Sequence, residues 1–485
     1  MALLPEKTDI ILTTLNARYR HTAIGLRYLR ANLAELREQS RIVEFDISNR
    51  PLDIAEKILI HQAKIIGISV YIWNVTLTTS LVKLIKKLSP DTVIVLGGPE
   101  VSHEYDEQEI VQLADYTVVG EGEVAFYQLC CDILKNRQPK NRIITPAPPS
   151  LDTLVMPYRE YTKDDIAHRV IYVEASRGCP YRCEFCLSAL DQKVREFPLS
   201  KFLEEMVYLL KRGVKHFKFM DRTFNLKIDS ACKIFDLFLQ HMDSDLFLHF
   251  EIVPDRLPLP IKQRIEQFPK DSVQFEIGVQ SFNQEVLNRI GRKQDSHETY
   301  ENLNWLRNVS QAHLHADLIL GLPGESMASI EASFNQMLLA DPHDIQVGIL
   351  KRLRGTPIIR HTIPFNMVFN PEPPYDLLYS DQLDFFTMQR LRRFARYWDL
   401  IGNSGRFKSF RKILQQRPSP FVDFLALSDW LFATTNRTHK ISLMKLFELI
   451  YIGSIEVMQI DKEMAVDMIK KDFAASGRGE PPPFI

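Results

Sequence analysis

The sequence predicts an α/β protein in three parts: a doubly wound parallel sheet, an incomplete (βα)6 barrel and a mostly helical C-terminal domain. Short apolar runs alternate with helical stripes through residues 1–140, the pattern of parallel strands covered on both faces. The alternation recurs from 166 to 360 at spacings of about 25 to 45 residues, enough for one strand, one crossover helix and their loops. From 361 to 485 helical segments replace it.

The 485-residue length is consistent with three such units. Apolar residues make up 45%, charged residues 25%, and the net charge is −1, so the chain is neither compositionally disordered nor a bulk polycation made for nucleic acid. No apolar run approaches the ~20 residues of a membrane span, and residues 1–7 carry no basic stretch leading into an apolar one. A cytoplasmic protein is expected. Six cysteines in this length do not make a disulfide framework.

The strands expected in the first domain are 9–15, 41–46, 65–71, 92–98 and 116–120, with helical stripes clearest at Leu26/Leu29/Leu33/Leu36 and Leu77/Leu81/Leu84/Leu88. This is a Rossmann-like arrangement, in which a ligand belongs at the carboxyl ends of the strands. Those ends carry residues 16–21, Tyr71, Trp73 and Asn74, Gly97-Gly98-Pro99, and Gly120-Glu121-Gly122-Glu123. Glycines there let the backbone approach a large flat or phosphorylated ligand; a turn that needs positive φ explains Gly97-Gly98 equally well.

Residues 141–165, with Pro146-Ala-Pro-Pro-Ser150 and Met156-Pro157, read as a stiff linker that sets the first domain over the mouth of the second. The barrel strands expected are 170–176, 215–221, 246–253, 272–281, 313–320 and 344–350. Six units make a partial TIM-type barrel, whose function belongs at the strand C-termini. Polar residues cluster there, at 221–225, 254–256, 278–281, 321–325 and 351–354.

After the first of these strands comes Cys179-Pro-Tyr-Arg-Cys183-Glu-Phe-Cys186. Three thiolates at C-x3-C-x2-C spacing on one tight loop can face three corners of an iron–sulfur cube and leave the fourth iron open. The alternatives are a structural zinc site or cysteines that pack. Zinc sites take four ligands in paired sets, and the sequence holds no second C-x2-C or H-x3-5-H. Cys130, Cys131 and Cys232 fall in helical apolar patterns and read as core residues.

In the last domain nine basic residues, Arg390, Arg392, Arg393, Arg396, Arg406, Lys408, Arg411, Lys412 and Arg417, interleave with Phe394, Tyr397, Trp398, Phe407 and Phe410, against the single acid Asp399. The preferred reading is amphipathic helices with solvated arginine faces over an aromatic core. The alternative is a surface for phosphates and bases.

The cysteine motif, with Phe185 before the last cysteine, resembles the signature of the radical S-adenosylmethionine superfamily. Together with Gly97-Gly98-Pro99 and the Gly120 to Glu123 stretch, the chain resembles the cobalamin-dependent members of that superfamily, and its end resembles an uncharacterised C-terminal domain appended to some of them. The resemblance implies three cofactors: a 4Fe-4S cluster on Cys179, Cys183 and Cys186, S-adenosylmethionine, and cobalamin. It also implies an external electron donor of flavodoxin or ferredoxin type. Asp221 would hold the methionine amine, and the 321–325 stretch, with Gly321, would lie beside the adenine. Gln280 and Ser281 either hold ribose hydroxyls or satisfy a strand end; Tyr172 and Phe185 either pack or meet the adenine. The D-x-H-x-x-G motif that supplies a histidine to cobalt is absent, and His21 is at the wrong spacing, so cobalamin without a protein histidine is expected.

The activity implied is methylation of an unactivated carbon through a 5′-deoxyadenosyl radical and methylcobalamin. Cyclisation, rearrangement or thiolation with the same cofactors is the alternative, and a cobalamin- or redox-sensing binding module is a third. The substrate is not named by the sequence; the basic run would suit an anionic one or RNA.

Overall fold

The computed structural model describes residues 8–477; residues 1–7, read above as carrying no leader, and the end of the last domain lie outside the described residues. In the first domain β1 (Ile10–Asn16), β2 (Ser40–Asp46), β3 (Ile65–Ser69), β4 (Val93–Gly97), β5 (Tyr116–Val118) and β6 (Ile143–Ile144) form one sheet in the order β2-β1-β3-β4-β5-β6. Every pairing is parallel. Alternate residues feed two separate cores, Ile11, Leu15, Ile66 and Ile68 on one face and Ile10, Leu12, Ile65 and Val95 on the other. Burial on both faces is why these strands read as unbroken apolar runs.

Two local expectations shift. The stretch 141–165 supplies the edge strand β6 before it becomes irregular, because its backbone pairs with β5 at Thr117 and Val118. In helix Val75–Leu88 the buried face is Val75, Thr78, Leu81, Val82 and Ile85, and Leu88 is exposed. The true stripe is rotated from the leucine spacing, since a β-branched residue buries as readily as a leucine.

The second sheet holds β7 (Ile171–Val173), β10 (His216–Phe219), β11 (Phe247–Ile252), β12 (Val273–Gln280), β13 (His313–Leu320) and β14 (Asp344–Ile349), in that order and all parallel. Two short strands, β8 (Ser176–Arg177) and β9 (Arg195–Glu196), pair antiparallel and bracket the cysteine loop. In β11 to β13 every second residue is buried: Leu248, Phe250 and Ile252; Val273, Phe275, Ile277 and Val279; Leu314, Ala316, Leu318 and Leu320. These pack with helix residues such as Phe202, Phe235 and Phe238 in one apolar core. The other face carries His249 and Glu251, Glu276 and Gln280, His315 and Asp317. A closed barrel fills its interior with apolar side chains; this open one lines it with polar groups.

A short hairpin, β15 (Val368–Phe369) with β16 (Leu377–Tyr379), leads to five helices, Phe385–Ile401, Lys408–Gln415, Pro420–Thr435, Leu443–Glu456 and Lys462–Ala475. They share the barrel's apolar core. Phe334, on barrel helix Met327–Leu339, meets Phe394 and Trp398 edge-on at centroid distances of 5.0 and 4.9 Å. The five aromatics of the basic run are buried, so they do not offer faces to bases. Arg390, Arg392, Arg396 and Arg417 pair with Asp429, Asp376, Asp399 and Asp423. Arg393 lies over the Phe432 ring, and the buried Arg411 donates to the carbonyls of Pro342 and His343. The run looked unopposed because most of its acids come from outside it.

Buried ion pairs fasten the first domain to the barrel. Arg27 reaches Glu44 at 2.8 Å and Asp165 at 2.9 Å, Arg169 reaches Glu44 at 2.8 Å, and all four side chains are at most 8% exposed. Beyond them, Glu100 accepts from Tyr375 at 2.6 Å and from Arg354 at 3.0 Å. Among the described residues no helix is long and apolar enough to cross a membrane. Removing one member of a buried charge set leaves the others uncompensated, at about 3 to 5 kcal/mol. Glu44→Gln is therefore expected to lower the thermal midpoint of the first domain by several degrees; an unchanged melting curve would contradict this.

Candidate active site at two adjoining cavities

Backbone constraints shape the cysteine loop. Gly178 has φ +88°, and a Cβ there would lie 2.5 Å from the carbonyl oxygen of Lys193; Cys179 N donates to Asp191 O at 2.8 Å. At the other end Glu184 N donates to Ile290 O at 2.9 Å, and a Cβ on Gly291 would meet Arg182 O at 2.7 Å. The buried Glu184 carboxylate accepts from Arg360 Nε at 2.7 Å and lies 2.7 Å from His361 Nε2. The loop is thus clamped from three directions, and Cys179, Cys183 and Cys186 all line one cavity of about 160 Å³.

None of the three cysteines is in a disulfide. Burial pushes the Cys179 and Cys183 thiols up; at Cys183 the neighbouring Arg292 opposes it, donating to Sγ at 3.4 Å. Buried thiols become thiolates when a metal charge compensates them. Among the described residues no group of three or more His, Cys, Asp or Glu is placed to hold a single metal ion. Three cysteines lining one cavity, with no fourth ligand in the sequence motif, suit an iron–sulfur cluster with one open iron.

The same cavity is lined by Phe185, Tyr181, Asp255, Gln280 and Asp317. Tyr181 Oη, Asp255 Oδ1, Gln280 Oε1 and Asp317 Oδ1 are buried without a hydrogen-bond partner. Leaving such an atom unpaired costs about 1 to 3 kcal/mol; Asp317 Oδ1 has His315 Nε2 at 3.5 Å as an ion-pair partner, and the other three mark a place for a ligand rich in hydroxyl and amine donors. Burial and the nearby Glu276 push the Asp317 carboxyl up to about 7. Burial also pushes Glu276 up, but His249 at 2.8 Å and Lys218 at 3.4 Å outweigh it and hold Glu276 at about 2.

Three residues expected at a ligand have close protein neighbours. Asp221 is absent from this lining; it accepts from Ser176 Oγ at 2.5 Å and Ala175 N at 3.0 Å, fixing the chain that enters the cysteine loop. Burial pushes it up to about 7. Ser281 is buried one residue past the end of β12 and donates to Glu325 at 2.8 Å. Gly321 has φ +86°, and a Cβ there would strike Leu377 at 2.5 Å; its bareness serves packing of the C-terminal domain.

The second cavity, about 480 Å³, opens at the carboxyl ends of β3, β4 and β5. Tyr71, Gly97, Gly98, Pro99, Gly120, Glu121 and Gly122 line it from the first domain; Glu174, Arg177 and Arg222 line it from the barrel. Gly98, at φ +105°, is demanded by the backbone, since a Cβ would lie 2.5 Å from Val70 O. A Cβ on Gly97 would meet nothing nearer than Val118 O at 3.7 Å, so at Gly97 the missing side chain leaves room for a ligand. A wide slot walled by bare backbone suits a flat macrocycle.

Trp73 and Asn74 do not line this slot. Trp73 stacks on Tyr71, centroids 4.4 Å apart. Asn74 is buried and ties the turn together, accepting from Tyr71 N at 2.9 Å and donating to Leu15 O at 3.0 Å. His21 Nδ1 lies 2.7 Å from Tyr172 Oη, and no histidine is among the residues lining the slot.

Arg222 lines both cavities, with Nη1 held 2.8 Å from Glu251. Arg177 pairs with Glu121 at 2.7 Å, Glu123 at 2.8 Å and Glu174 at 2.9 Å, joining the glycine loop of the first domain to the strand before Cys179. Neither arginine was singled out by motif spacing. A usable signal for Asp317 and Glu276 was available: a polar residue at every second position along strands whose other positions are wholly apolar.

Comparison with known families divides the chain in three. Residues 10–130 match the B12 binding domain, 173–337 the radical SAM superfamily, and 364–485 a protein of unknown function, DUF4080. The cobalamin-dependent radical SAM methyltransferase TokK of Streptomyces tokunonensis is 25% identical over 61% of this chain, which spans 48% of its length. An uncharacterised methyltransferase of Pyrococcus horikoshii is 25% identical over 71% of this chain and 79% of its own. The fold is shared with the radical S-adenosylmethionine methyltransferase TsrM of Kitasatospora setae, solved with cobalamin and a [4Fe-4S] cluster, at a TM-score of 0.60 and 14% identity over 97% of this chain and 100% of that one. A 4Fe-4S cluster, S-adenosylmethionine and cobalamin are accordingly the cofactors of these domains. The chain therefore joins a B12-binding domain, a radical SAM domain and a DUF4080 domain, in that order.

Proposed function

We propose that this chain is a cobalamin-dependent radical S-adenosylmethionine methyltransferase acting on an unactivated carbon. The observation that carries the reading is the shared wall: Arg222 borders both the cavity of the three cysteines and the glycine-lined slot. A cluster with S-adenosylmethionine supplies a hydrogen-abstracting carbon radical, and cobalamin supplies the methyl group.

The chain's own residues bind, orient and exclude water. Cys179, Cys183 and Cys186 would hold the cluster, with Arg292 damping the charge at Cys183. Gln280 Oε1 and Asp317 Oδ1, acceptors on neighbouring strands without hydrogen-bond partners, suit the two hydroxyls of a ribose. Phe185 would cover an apolar edge. Gly97, Gly98 and the stretch Gly120 to Gly122 would hold cobalamin in the slot, whose lining includes no histidine. Arg177 and Arg222, each anchored by a carboxylate, would keep the two halves in register so that reacting atoms meet at near-attack separations. An external low-potential electron donor completes the set. Anaerobic reconstitution followed by reduction tests the reading: both 5′-deoxyadenosine and S-adenosylhomocysteine are expected. Deoxyadenosine alone would favour cyclisation, rearrangement or thiolation, and neither product in a loaded protein would favour the binding module.

Two substitutions should separate the cofactors. Cys183→Ala is expected to abolish iron retention and sparing of cobalamin binding should accompany it; Gly97→Leu should do the reverse, by filling the slot. Loss of both cofactors in both variants would contradict independent sites. Gln280→Leu removes one ribose acceptor, about 1 to 3 kcal/mol, so affinity for S-adenosylmethionine measured by calorimetry should fall by roughly 5- to 150-fold; unaltered affinity would remove Gln280 from the site.

A further inference from the structure

The loop that follows β4 walls the slot on its inner side. Gly97, Gly98 and Pro99 line the slot directly. A little further along, the buried Ser102 donates from Oγ to Gly98 O at 2.8 Å and accepts from Gly120 N at 3.1 Å. Gly120 belongs to the other glycine wall, so one hydroxyl joins the two walls. Gln108 Nε2 donates to Glu100 O at 2.9 Å and to His103 O at 2.8 Å, closing the loop on itself.

Glu100 and Glu104 flank Ser102, and both are gripped from outside the first domain. Glu104 accepts from Arg352 Nη2 at 3.1 Å and from Gly355 N at 3.2 Å. Glu100, 4% exposed, accepts from Tyr375 Oη at 2.6 Å and from Arg354 Nε at 3.0 Å. Arg352, Arg354 and Gly355 follow the last barrel strand, β14, whereas Tyr375 belongs to the stretch matched to DUF4080.

Tyr375 makes this contact from a disfavoured backbone conformation. Its φ is +58°, in the left-handed region where a Cβ is crowded, and a residue stays there only when its surroundings hold it. Here they do. Arg352 N donates to Tyr375 O at 3.0 Å, and the Arg354 guanidinium lies 5.0 Å from the centre of the ring. The next two residues, Asp376 and Leu377, accept from Arg392 of helix Phe385–Ile401 at 2.5 and 2.7 Å. The C-terminal helices thus reach the slot loop through one phenol.

We propose that the DUF4080 domain is the outer clamp of the corrin slot, with Tyr375 as its positioning residue: by holding Glu100 it keeps Ser102 where it joins the Gly98 and Gly120 walls. The inference rests on the cobalamin reading of the slot. Glu100 lies one residue past Pro99 and two before Ser102, so loss of the phenol's hydrogen bond frees the wall itself.

The probe is hydroxocobalamin, titrated by absorbance into the full-length protein carrying its iron. Tyr375→Phe keeps the ring and removes the hydroxyl; the dissociation constant is expected to rise about fivefold or more, with iron content and affinity for S-adenosylmethionine as in the parent. Ser102→Ala cuts the bridge from the slot side and should weaken corrin binding likewise. The double variant Glu100→Leu/Tyr375→Phe should lose no more than Glu100→Leu alone, because one bond carries both effects. Asn403→Ala removes two bonds between the C-terminal helices and Ile345 of β14, each 2.9 Å long; it should lower the melting midpoint and keep the parent's corrin affinity. Parent affinity in Tyr375→Phe or in Ser102→Ala, additive losses in the double variant, or an equal loss in Asn403→Ala would each overturn the proposal, as would a parallel fall in affinity for S-adenosylmethionine. A parent protein that retains no hydroxocobalamin would instead sink the cobalamin reading.

Discussion

Arg177 is the constraint on which the arrangement turns. It leaves β8 two residues before Cys179, and its guanidinium meets Glu121 and Glu123 from the first domain and Glu174 from the barrel, with the Tyr28 ring 4.6 Å from its charge centre. A fork of five donors can satisfy several carboxylates at once, which a lysine cannot. Each carboxylate on its own would be a poor group to bury; around one arginine they become mutually necessary. The consequence is positional: the loop Gly120 to Glu123 that walls the slot and the strand that delivers the cysteines move as one piece. Domain orientation here is set by buried charge, with Arg27/Glu44/Asp165/Arg169 and Glu100/Tyr375/Arg354 as the flanking fastenings.

The open barrel makes a second point about chemistry. Its strands turn their apolar side outward to the helices and leave a polar interior, and the unpaired oxygens of Tyr181, Asp255 and Gln280 collect with Asp317 around one cavity. Desolvated acceptors awaiting a ligand are destabilising in the free protein. That cost is repaid by the packed core the barrel shares with the C-terminal helices, where Phe334 joins Phe394 and Trp398. The C-terminal domain is therefore part of what keeps the cavity in shape, whatever else it does.

Much of this was legible in the sequence, for identifiable reasons. Strand runs buried on both faces announce themselves by continuity, and three cysteines at tight spacing on a post-strand loop constrain one another strongly. Glycines after β4 and β5 pointed to the slot because a ligand site at strand ends follows from topology. Several residues expected at a ligand have protein partners in the structure. Asp221 belongs to Ser176 and Ala175, Ser281 to Glu325, Asn74 to the turn at Tyr71, and Gly321 to Leu377. Such claims are long-range in sequence and cannot be seen along one chain. Arg177 and Arg222 escaped notice for the same reason, since Arg177's partner in the first domain, Glu121, and Arg222's partner, Glu251, lie 56 and 29 residues away in sequence.

The measurement that bears most directly on this account is an anaerobic crystal structure of the protein reconstituted with iron, sulfide and cobalamin. The account requires cluster density at Cys179, Cys183 and Cys186, and a corrin in the slot between Gly97-Gly98 and Gly120 to Gly122, its edge toward Arg222 and no protein histidine on cobalt. A corrin bound outside that slot, or ligated by His21, would contradict it.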